Sequence, residues 1–279
     1  MLSPVKLVKS ARDHFLYRLV SGRRGSRQVY RYLREQEVSL VKEIDGIHII
    51  SHADKIGRSL AGGVLWQREE FLAALKHLKK ASGLKSDGVF VDIGANIGTH
   101  TIYAAISGSF SNVIAIEPLT ENLNLAQANI TLNNINTVTL VHSAAGRESG
   151  TAKIYRNVRN YGKSSLAKDM GDGFETISVN KLTDILKNEN IPLDNISMVW
   201  IDVEGFEAEV IDGMSDLLAL KPPLVMEVTP QYLGKKLDWL TDRLEAHYSQ
   251  CHTILRTRIE PLAFDQLRNL KTQIDILVT

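Results

Sequence analysis

From Val89 onward, apolar strand-like runs alternate with helical segments. The predicted strands cover 89–93, 112–116, 138–142, 197–202 and 223–228, and the predicted helices cover about 98–108, about 120–133, a segment from about 205, and about 236–247. This alternation is typical of βαβ units with parallel strands. Two final runs, 251–255 and 272–278, predict a closing hairpin. We therefore expect an α/β fold with a mostly parallel sheet and an antiparallel edge strand.

The chain before this alternation has a different pattern. Strand-like runs at 38–41 and 47–50 flank Asp45-Gly46, a dipeptide that favours a tight hairpin turn. Apolar residues then recur at helical spacing over about 68–81, and Gly83 follows as a stop signal. We predict a small helical and hairpin cap over residues 1–84, followed by the main α/β domain over residues 85–279.

The first strand-to-helix turn of the alternation contains Asp92, Gly94, Asn96 and Gly98. In an open parallel sheet, ligands bind beyond the carboxyl ends of the strands, where the strand order reverses. Glycines allow a tight turn there, and the N–H groups of the next helix are available to a ligand. A glycine turn required only for packing would give the same pattern, so the turn alone does not identify a ligand.

Two carboxylates distinguish between cofactors. A carboxylate at Asp92 would repel the pyrophosphate of a dinucleotide, whereas S-adenosylmethionine has no phosphate and carries a cationic amine. Glu117 ends the second strand, where an acid can accept hydrogen bonds from ribose hydroxyls of either cofactor. The sequence favours S-adenosylmethionine, with an NAD-dependent oxidoreductase as the alternative enzyme. A non-catalytic binding protein that retains the fold is the alternative outside enzymes.

Six motifs between about Glu69 and about Pro230 resemble the FkbM-type methyltransferases. They are FVDIGANIGTHT at 90–101, IEPLTENL at 116–123, LNN at 132–134, SAAGRESG at 143–150, YGKSSL at 161–166 and WIDVEGFEAEVIDG at 200–213. The resemblance implies a Rossmann-like class I methyltransferase fold. It also implies an O-methyltransferase that acts on hydroxyl groups of sugars, glycolipids or natural products.

The resemblance also implies roles for individual residues. Asp92, Gly94, Asn96 and Gly98 would line the methionine half of S-adenosylmethionine, and Glu117 would bind its ribose. Ser143 and Ala144, just past the third strand, would flank the adenine. Two ordinary loop residues would fit the same positions.

Three further carboxylates lie at predicted strand ends. Strand alternation directs Asp202 and Glu204 to the same side, and Glu227 ends the next strand. One of them could take the proton of an acceptor hydroxyl, or two could hold a divalent metal ion. Alternatively, Asp202 caps the following helix, and Glu204 and Glu227 bond to nearby backbone amides.

Charge is distributed unevenly along a chain whose net charge is only +1. Residues 1–34 contain nine Lys and Arg residues and one acid, Asp13. This basic arm predicts contact with an anionic partner such as the inner face of a membrane, and nucleic acid is the less favoured partner. A solvated helix face would have the same composition.

Two further features concern the cellular location and the substrate. The single cysteine, Cys251, and the lack of a long apolar segment or a signal peptide predict a cytoplasmic protein. The polar segment 156–173 predicts a substrate-binding loop, although disorder would also explain it. His142 and His247 are interpreted as packing or surface residues.

Overall fold

The computed structural model of the chain describes residues 39–52, 54–155 and 173–279. The basic arm 1–34 and nearly all of the polar segment 156–173 lie outside these ranges, so both predictions stay untested. Within the described ranges, none of the helices has the length and apolar character needed to cross a bilayer.

The first described elements are a hairpin and two helices: β1 (Ser39–Ile44), β2 (Ile47–His52), α1 (Lys55–Ala61) and α2 (Arg68–Lys80). The hairpin is confirmed, and its turn is Asp45-Gly46, with φ values of 51° and 78°. Positive φ at both central residues is the geometry that joins antiparallel strands with a two-residue loop.

The remaining strands are β3 (Val89–Ile93), β4 (Asn112–Ile116), β5 (Val138–Val141), β6 (Ala144–Ala145), β7 (Gly150–Tyr155), β8 (Phe174–Asn180), β9 (Ile196–Ile201), β10 (Leu224–Val228), β11 (Cys251–Leu255), β12 (Arg258–Pro261) and β13 (Ile274–Val278). The remaining helices are α3 (Thr99–Ile106), α4 (Thr120–Leu132), α5 (Leu182–Asn188), α6 (Glu207–Asp212), α7 (Ser215–Leu218), α8 (Pro230–Leu233), α9 (Lys236–His247) and α10 (Phe264–Arg268), together with a 3₁₀ turn at Leu193–Asn195.

Eight strands form the main sheet in the order β12-β11-β13-β10-β9-β3-β4-β5. Strands β10, β9, β3, β4 and β5 are parallel, as predicted. Every residue of β3, β9 and β10 is buried, because helices cover both faces of a parallel sheet. The strand order reverses between β3 and β9, and this reversal opens a crevice at their carboxyl ends.

The antiparallel end of the sheet is more elaborate than predicted. Strands β11 and β13 pair antiparallel, but the predicted closing hairpin is wrong, because β12 and α10 lie between them in the chain. In the sheet, β13 lies between β10 and β11. The edge strand is β12, which pairs antiparallel with β11 and was not predicted. Its sequence, RIEP, is mostly exposed, so it lacks the apolar alternation that reveals a strand.

A smaller sheet has the order β6-β8-β7 and lies beside the carboxyl ends of the parallel strands. Strands β7 and β8 pair antiparallel and lie on either side of the polar segment in the chain. Strand β6 has only two residues and pairs parallel with β8. It follows β5 directly, so it connects the main sheet to the smaller one.

The N-terminal elements pack directly on the main sheet. Phe71 of α2 lies 5.8 Å from Phe90 of β3 and 5.7 Å from Trp200 of β9, measured between ring centroids. Buried residues of β2 and α1, such as Ile49 and Leu60, belong to the same apolar cluster. The division of the chain at residue 84 stays a prediction, but residues 47–78 share a core with the sheet.

Candidate active site

A cavity of about 790 Å³, including its open mouth, lies at the carboxyl ends of β3, β4 and β9. Seven of the ten residues predicted from sequence line it: Gly94, Asn96, Glu117, Ser143, Ala144, Asp202 and Glu204. Asp92, Gly98 and Glu227 do not line it. The fold therefore brings residues more than 100 positions apart into one concave site.

Gly94 makes the close approach of two strand ends possible. Its φ is +84°, and a Cβ atom there would lie 1.9 Å from the carbonyl oxygen of Asp202. The backbone N–H of Asp202 donates to the carbonyl of Ile93 at 2.9 Å, so the end of β9 is bonded directly to the glycine turn. A side chain at position 94 would separate these two walls of the cavity.

Asp92 lies beneath the turn and is fully buried. Its carboxylate accepts hydrogen bonds from the hydroxyl of Thr101, at 2.5 Å, and from the Thr101 backbone N–H. Burial raises the pKa of Asp92 to about 7, although both bonds oppose this rise. These contacts connect the end of β3 to the first turn of α3, and contact of Asp92 with a methyl donor stays a prediction.

Glu117 has two functions in this geometry. It lines the cavity, and it accepts backbone N–H bonds from Asn96 at 2.8 Å and from Leu119 at 2.9 Å. Burial raises the pKa of Glu117 to about 7, more than the hydrogen bonds from Leu119, Asn96 and Asn122 lower it. The carboxylate thus positions Asn96 in its left-handed conformation, with φ of 52°, and still presents lone pairs to the cavity.

Four residues that line the cavity each have a polar atom that is buried without a hydrogen-bond partner among the described residues. These atoms are Oδ1 of Asn96, Nε2 of His100, Oε1 of Gln67 and Oδ1 of Asn122. His100 was not predicted from sequence. Its ring is 5% exposed and packs 4.3 Å from the ring of Trp200. Burial lowers the pKa of His100 to about 3, so the ring is neutral at physiological pH. Unpartnered buried polar atoms are costly, so all four are candidates for contact with a ligand.

The other histidines considered from sequence have ordinary partners. Nε2 of His142 lies 2.9 Å from the carbonyl oxygen of Pro118, and Nδ1 of His247 lies 2.8 Å from that of Arg243. Neither residue lines the cavity. The interpretation of both as packing or surface residues agrees with these contacts.

Ser143 and Ala144 lie in an apolar part of the cavity. The wall there also includes Leu119, Ile154 and Phe206. The hydroxyl of Ser143 donates to the carbonyl of Ala144 at 2.9 Å and accepts from the side-chain amide of Asn180 at 3.0 Å. Ser143 is thus held by β6 and β8, and this end of the cavity presents mainly small and apolar groups.

Asp202, Glu204 and Glu227 form an acidic cluster. One carboxylate oxygen from each lies within 4.8 Å of the others. The pKa of Asp202 is raised well above its ordinary value, first by burial and then by the charges of Glu227, Glu204, Asp275 and Glu207. The three side chains do converge, but strand alternation is not the reason, because β9 ends at Ile201 and both Asp202 and Glu204 lie beyond it. Three oxygens at this spacing are compatible with a divalent cation.

The alternative structural role for Asp202 is wrong. The residue that caps α6 is Phe206, and the carboxylate that accepts backbone N–H bonds at this helix end belongs to Glu207. Glu204 adopts a left-handed backbone conformation, with φ of 49°, which is uncommon for a residue other than glycine. Glu227 accepts hydrogen bonds from the Thr229 hydroxyl at 3.0 Å and from the Gln273 amide.

The cavity also has a wall from the N-terminal segment, which sequence reasoning missed. Ile56, Trp66 and Gln67 contribute to it. The carbonyl of Trp66 accepts a hydrogen bond from the Tyr103 hydroxyl at 2.9 Å. The Gln67 amide nitrogen donates to Asp275 at 3.4 Å, across 208 positions of sequence. Pairs this distant leave no periodic signal in the sequence.

The family model for the methyltransferase FkbM domain matches residues 92–251. "Methyltransferase 1" of Beauveria bassiana is 28% identical over 149 residues, which are 47% of this chain and 59% of that protein. The hexuronic acid methyltransferase AglP of Haloferax volcanii is 28% identical over 151 residues, which are 52% of this chain and 57% of that protein.

Solved structures were compared as well. The crystal structure of the methyltransferase FkbM from Methylobacillus flagellatus superposes with a TM-score of 0.47 and 21% identity, over 70% of this chain and 44% of that chain. By sequence, this chain spans a little under three fifths of the length of "Methyltransferase 1" and of AglP.

Proposed function

This chain belongs to the FkbM methyltransferase family, and from that premise we propose that it transfers a methyl group from S-adenosylmethionine to a hydroxyl group of a sugar, a glycolipid or a related natural product. The observation that carries the proposal is a single cavity lined by the glycine turn, Glu117, Asp202 and Glu204.

The residues of the cavity fit S-adenosylmethionine chemically. Asn96 Oδ1 is an unpartnered acceptor, suited to the donor's cationic amine, and Glu117 can accept from the ribose hydroxyls. The apolar part around Ser143 and Ala144 suits a flat base. When bound, S-adenosylmethionine supplies a methyl group on a positively charged sulfur. The surrounding carboxylates would repel a pyrophosphate, which argues against NAD.

Asp202 and Glu204 supply the acid–base chemistry in this proposal. A hydroxyl is a weak nucleophile until its proton is removed. As the acceptor oxygen bonds to the methyl carbon, the carbon–sulfur bond breaks, and one carboxylate takes the hydroxyl proton. The raised pKa of Asp202 makes its carboxylate a stronger base than an exposed one. The rest of catalysis is positioning and exclusion of water.

A sugar acceptor is supported by the hexuronic acid methyltransferase among the relatives and by the carboxylates that face the cavity. Calorimetry with S-adenosylhomocysteine and with NAD tests the donor, and methyl transfer into extracted glycans and glycolipids tests the acceptor. Binding of NAD but not of S-adenosylhomocysteine would contradict the proposal. A protein that binds the donor but never consumes it with any acceptor would be a binding protein instead.

Replacing Glu117 by Gln should weaken S-adenosylhomocysteine binding roughly 10- to 100-fold. Hydrogen bonds to a charged group contribute about 1.5–3 kcal/mol, and the amide has one accepting oxygen instead of two. Calorimetry measures the change. Glu121→Gln is the matched control, because Glu121 lies in the first turn of α4 and is 46% exposed. Equal affinity in both variants would place the ribose elsewhere.

We also propose that the basic arm 1–34 contacts anionic lipid. Nine cations near a bilayer attract anionic headgroups, and salt screens this attraction. Deleting residues 1–34 should therefore reduce co-sedimentation with phosphatidylserine vesicles at low salt, with little change at high salt or in donor affinity. If co-sedimentation is the same with and without the arm, the arm is only a solvated surface.

A further inference from the structure

We propose that Trp66 and Gln67 form the acceptor subsite and that this subsite selects an uncharged sugar ring over a uronic acid. The inference rests on the proposed function, because it assigns the acceptor side of the same cavity. It adds a substrate class and two residues that the family match does not include.

The position of the two residues separates them from the donor machinery. Both line the cavity with Asp202 and Glu204, yet both precede the matched domain, which begins at residue 92. The residues predicted to hold S-adenosylmethionine all come from within that domain. A wall contributed from outside it is therefore available to the acceptor, because the residues predicted to hold the donor lie elsewhere in the cavity.

Trp66 presents a fixed aromatic surface. Its carbonyl is bonded to the Tyr103 hydroxyl at 2.9 Å, and Nζ of Lys55 lies 4.4 Å from the centre of its ring. The ammonium group therefore covers one face of the indole. The side chain is partly buried against the apolar core, and the residue lines the cavity. Sugar rings have faces of C–H groups that pack on an indole, so the flat side chain provides contact area without charge.

Gln67 presents an unpaired hydrogen-bond acceptor. Its backbone is in the left-handed region, with φ of 51°, and the residue lines the cavity. The amide nitrogen donates to Asp275, and Oε1 is buried without a partner among the described residues. An orphaned acceptor is costly unless a ligand supplies a donor, and a sugar hydroxyl is such a donor.

The charges near this wall favour an uncharged ligand. One carboxylate oxygen from each of Asp202, Glu204 and Glu227 lies within 4.8 Å of the others. Asp202 and Glu204 line the cavity together with Trp66 and Gln67. Carboxylates accept hydrogen bonds from hydroxyl groups, whereas a uronate would add one more negative charge to the same site.

The test measures sugar binding without turnover. The methyl glycosides of glucose, galactose and mannose, and methyl glucuronide, are titrated into the full chain with S-adenosylhomocysteine present, and saturation-transfer NMR reports binding. At least one uncharged glycoside should bind more tightly than the glucuronide. Trp66→Ala should weaken this binding about 10-fold or more, and Trp66→Phe should retain it within about 3-fold, because it keeps an aromatic face.

Two controls distinguish a loss of the sugar subsite from a general defect in folding. Trp239→Ala removes a partly exposed tryptophan of α9 that does not line the cavity, and it should leave sugar binding unchanged. Each variant must also keep the wild-type affinity for S-adenosylhomocysteine. If Trp66→Ala fails this criterion, Gln67→Ala takes its place, with a loss of at least about 3-fold expected.

Three results would overturn the subsite: no uncharged glycoside binds, the Trp66 and Gln67 variants bind sugar like the wild type, or the glucuronide binds as tightly. Calorimetry on the same preparations tests the proposed function separately. Donor binding without sugar binding would refute the subsite alone. Sugar binding that depends on Trp66, without donor binding, would support the subsite and refute the methyltransferase proposal.

Discussion

At least one of the variants Asp202→Asn and Glu204→Gln is expected to lower turnover by about 100-fold or more while donor affinity changes only a few-fold. The amides keep the size of the side chains but cannot take a proton. General bases contribute about 10²- to 10⁴-fold to rate, so the loss should far exceed any effect of shape. Both side chains line the cavity, which makes them available to an acceptor.

The pH dependence of turnover provides a second measurement. Burial and the neighbouring carboxylates raise the pKa of Asp202, so its proton leaves only at a pH well above the ordinary carboxyl range. A base acts in its deprotonated form, so wild-type turnover should rise with pH through that raised pKa. If Asp202 is the base, the residual rate of Asp202→Asn should lack this rise.

Two controls make the result specific. Asp216→Asn is the same chemical change on an exposed residue of α7, and it should leave turnover unchanged. If Asp202, Glu204 and Glu227 share a metal ion, a chelator should reduce the wild-type rate and a divalent cation should restore it. Near-normal turnover in both amide variants would remove Asp202 and Glu204 from the mechanism.

Gly94→Ala is expected to abolish detectable donor binding and to destabilise the fold by at least about 4 kcal/mol. The added Cβ would lie 1.9 Å from the Asp202 carbonyl oxygen, and the φ of +84° is unfavourable for alanine. Either β9 moves away from the turn or the turn changes its conformation. Both changes disrupt the wall that Asp202 and Asn96 share.

Gly63→Ala separates the effect of the steric clash from the effect of the positive φ. Gly63 has a similar φ of +77°, but nothing lies within 4 Å of its added Cβ. It should lose only about 1–2 kcal/mol, the cost of a left-handed alanine, and keep its donor affinity. Urea unfolding and calorimetry measure both quantities. Equal losses in the two variants would show that the close approach to β9 is unimportant.

Much of the main sheet was predictable because its strands are continuous apolar runs bounded by polar turns. Strands β3, β4 and β11 and helix α9 have the predicted bounds. Strands β6 and β12 were missed, since two alanines and a mostly exposed RIEP segment have no periodic pattern. A strand or helix can be predicted from sequence only where its buried and exposed residues alternate with a regular period.

Site residues were predictable where a carboxylate residue lies at the carboxyl end of a predicted strand. Asp202, Glu204 and Glu117 were identified because the topology brings such ends together. His100, Trp66 and Gln67 were not, because their importance depends on which distant groups they meet. Nothing in the sequence near Gln67 indicates that Asp275 is its partner. Contact of the predicted residues with the methyl donor stays a prediction.

The position of β13 has a consequence for folding during synthesis. Strand β13 lies between β10 and β11, although it is made after both. Until Ile274–Val278 has emerged from the ribosome, β10 has an open flank and β11 cannot attach to the sheet. A nascent chain with unpaired strand edges is prone to wrong pairing. We expect the half-sheet β5-β4-β3-β9-β10 to assemble first, and the other strands to join late in translation.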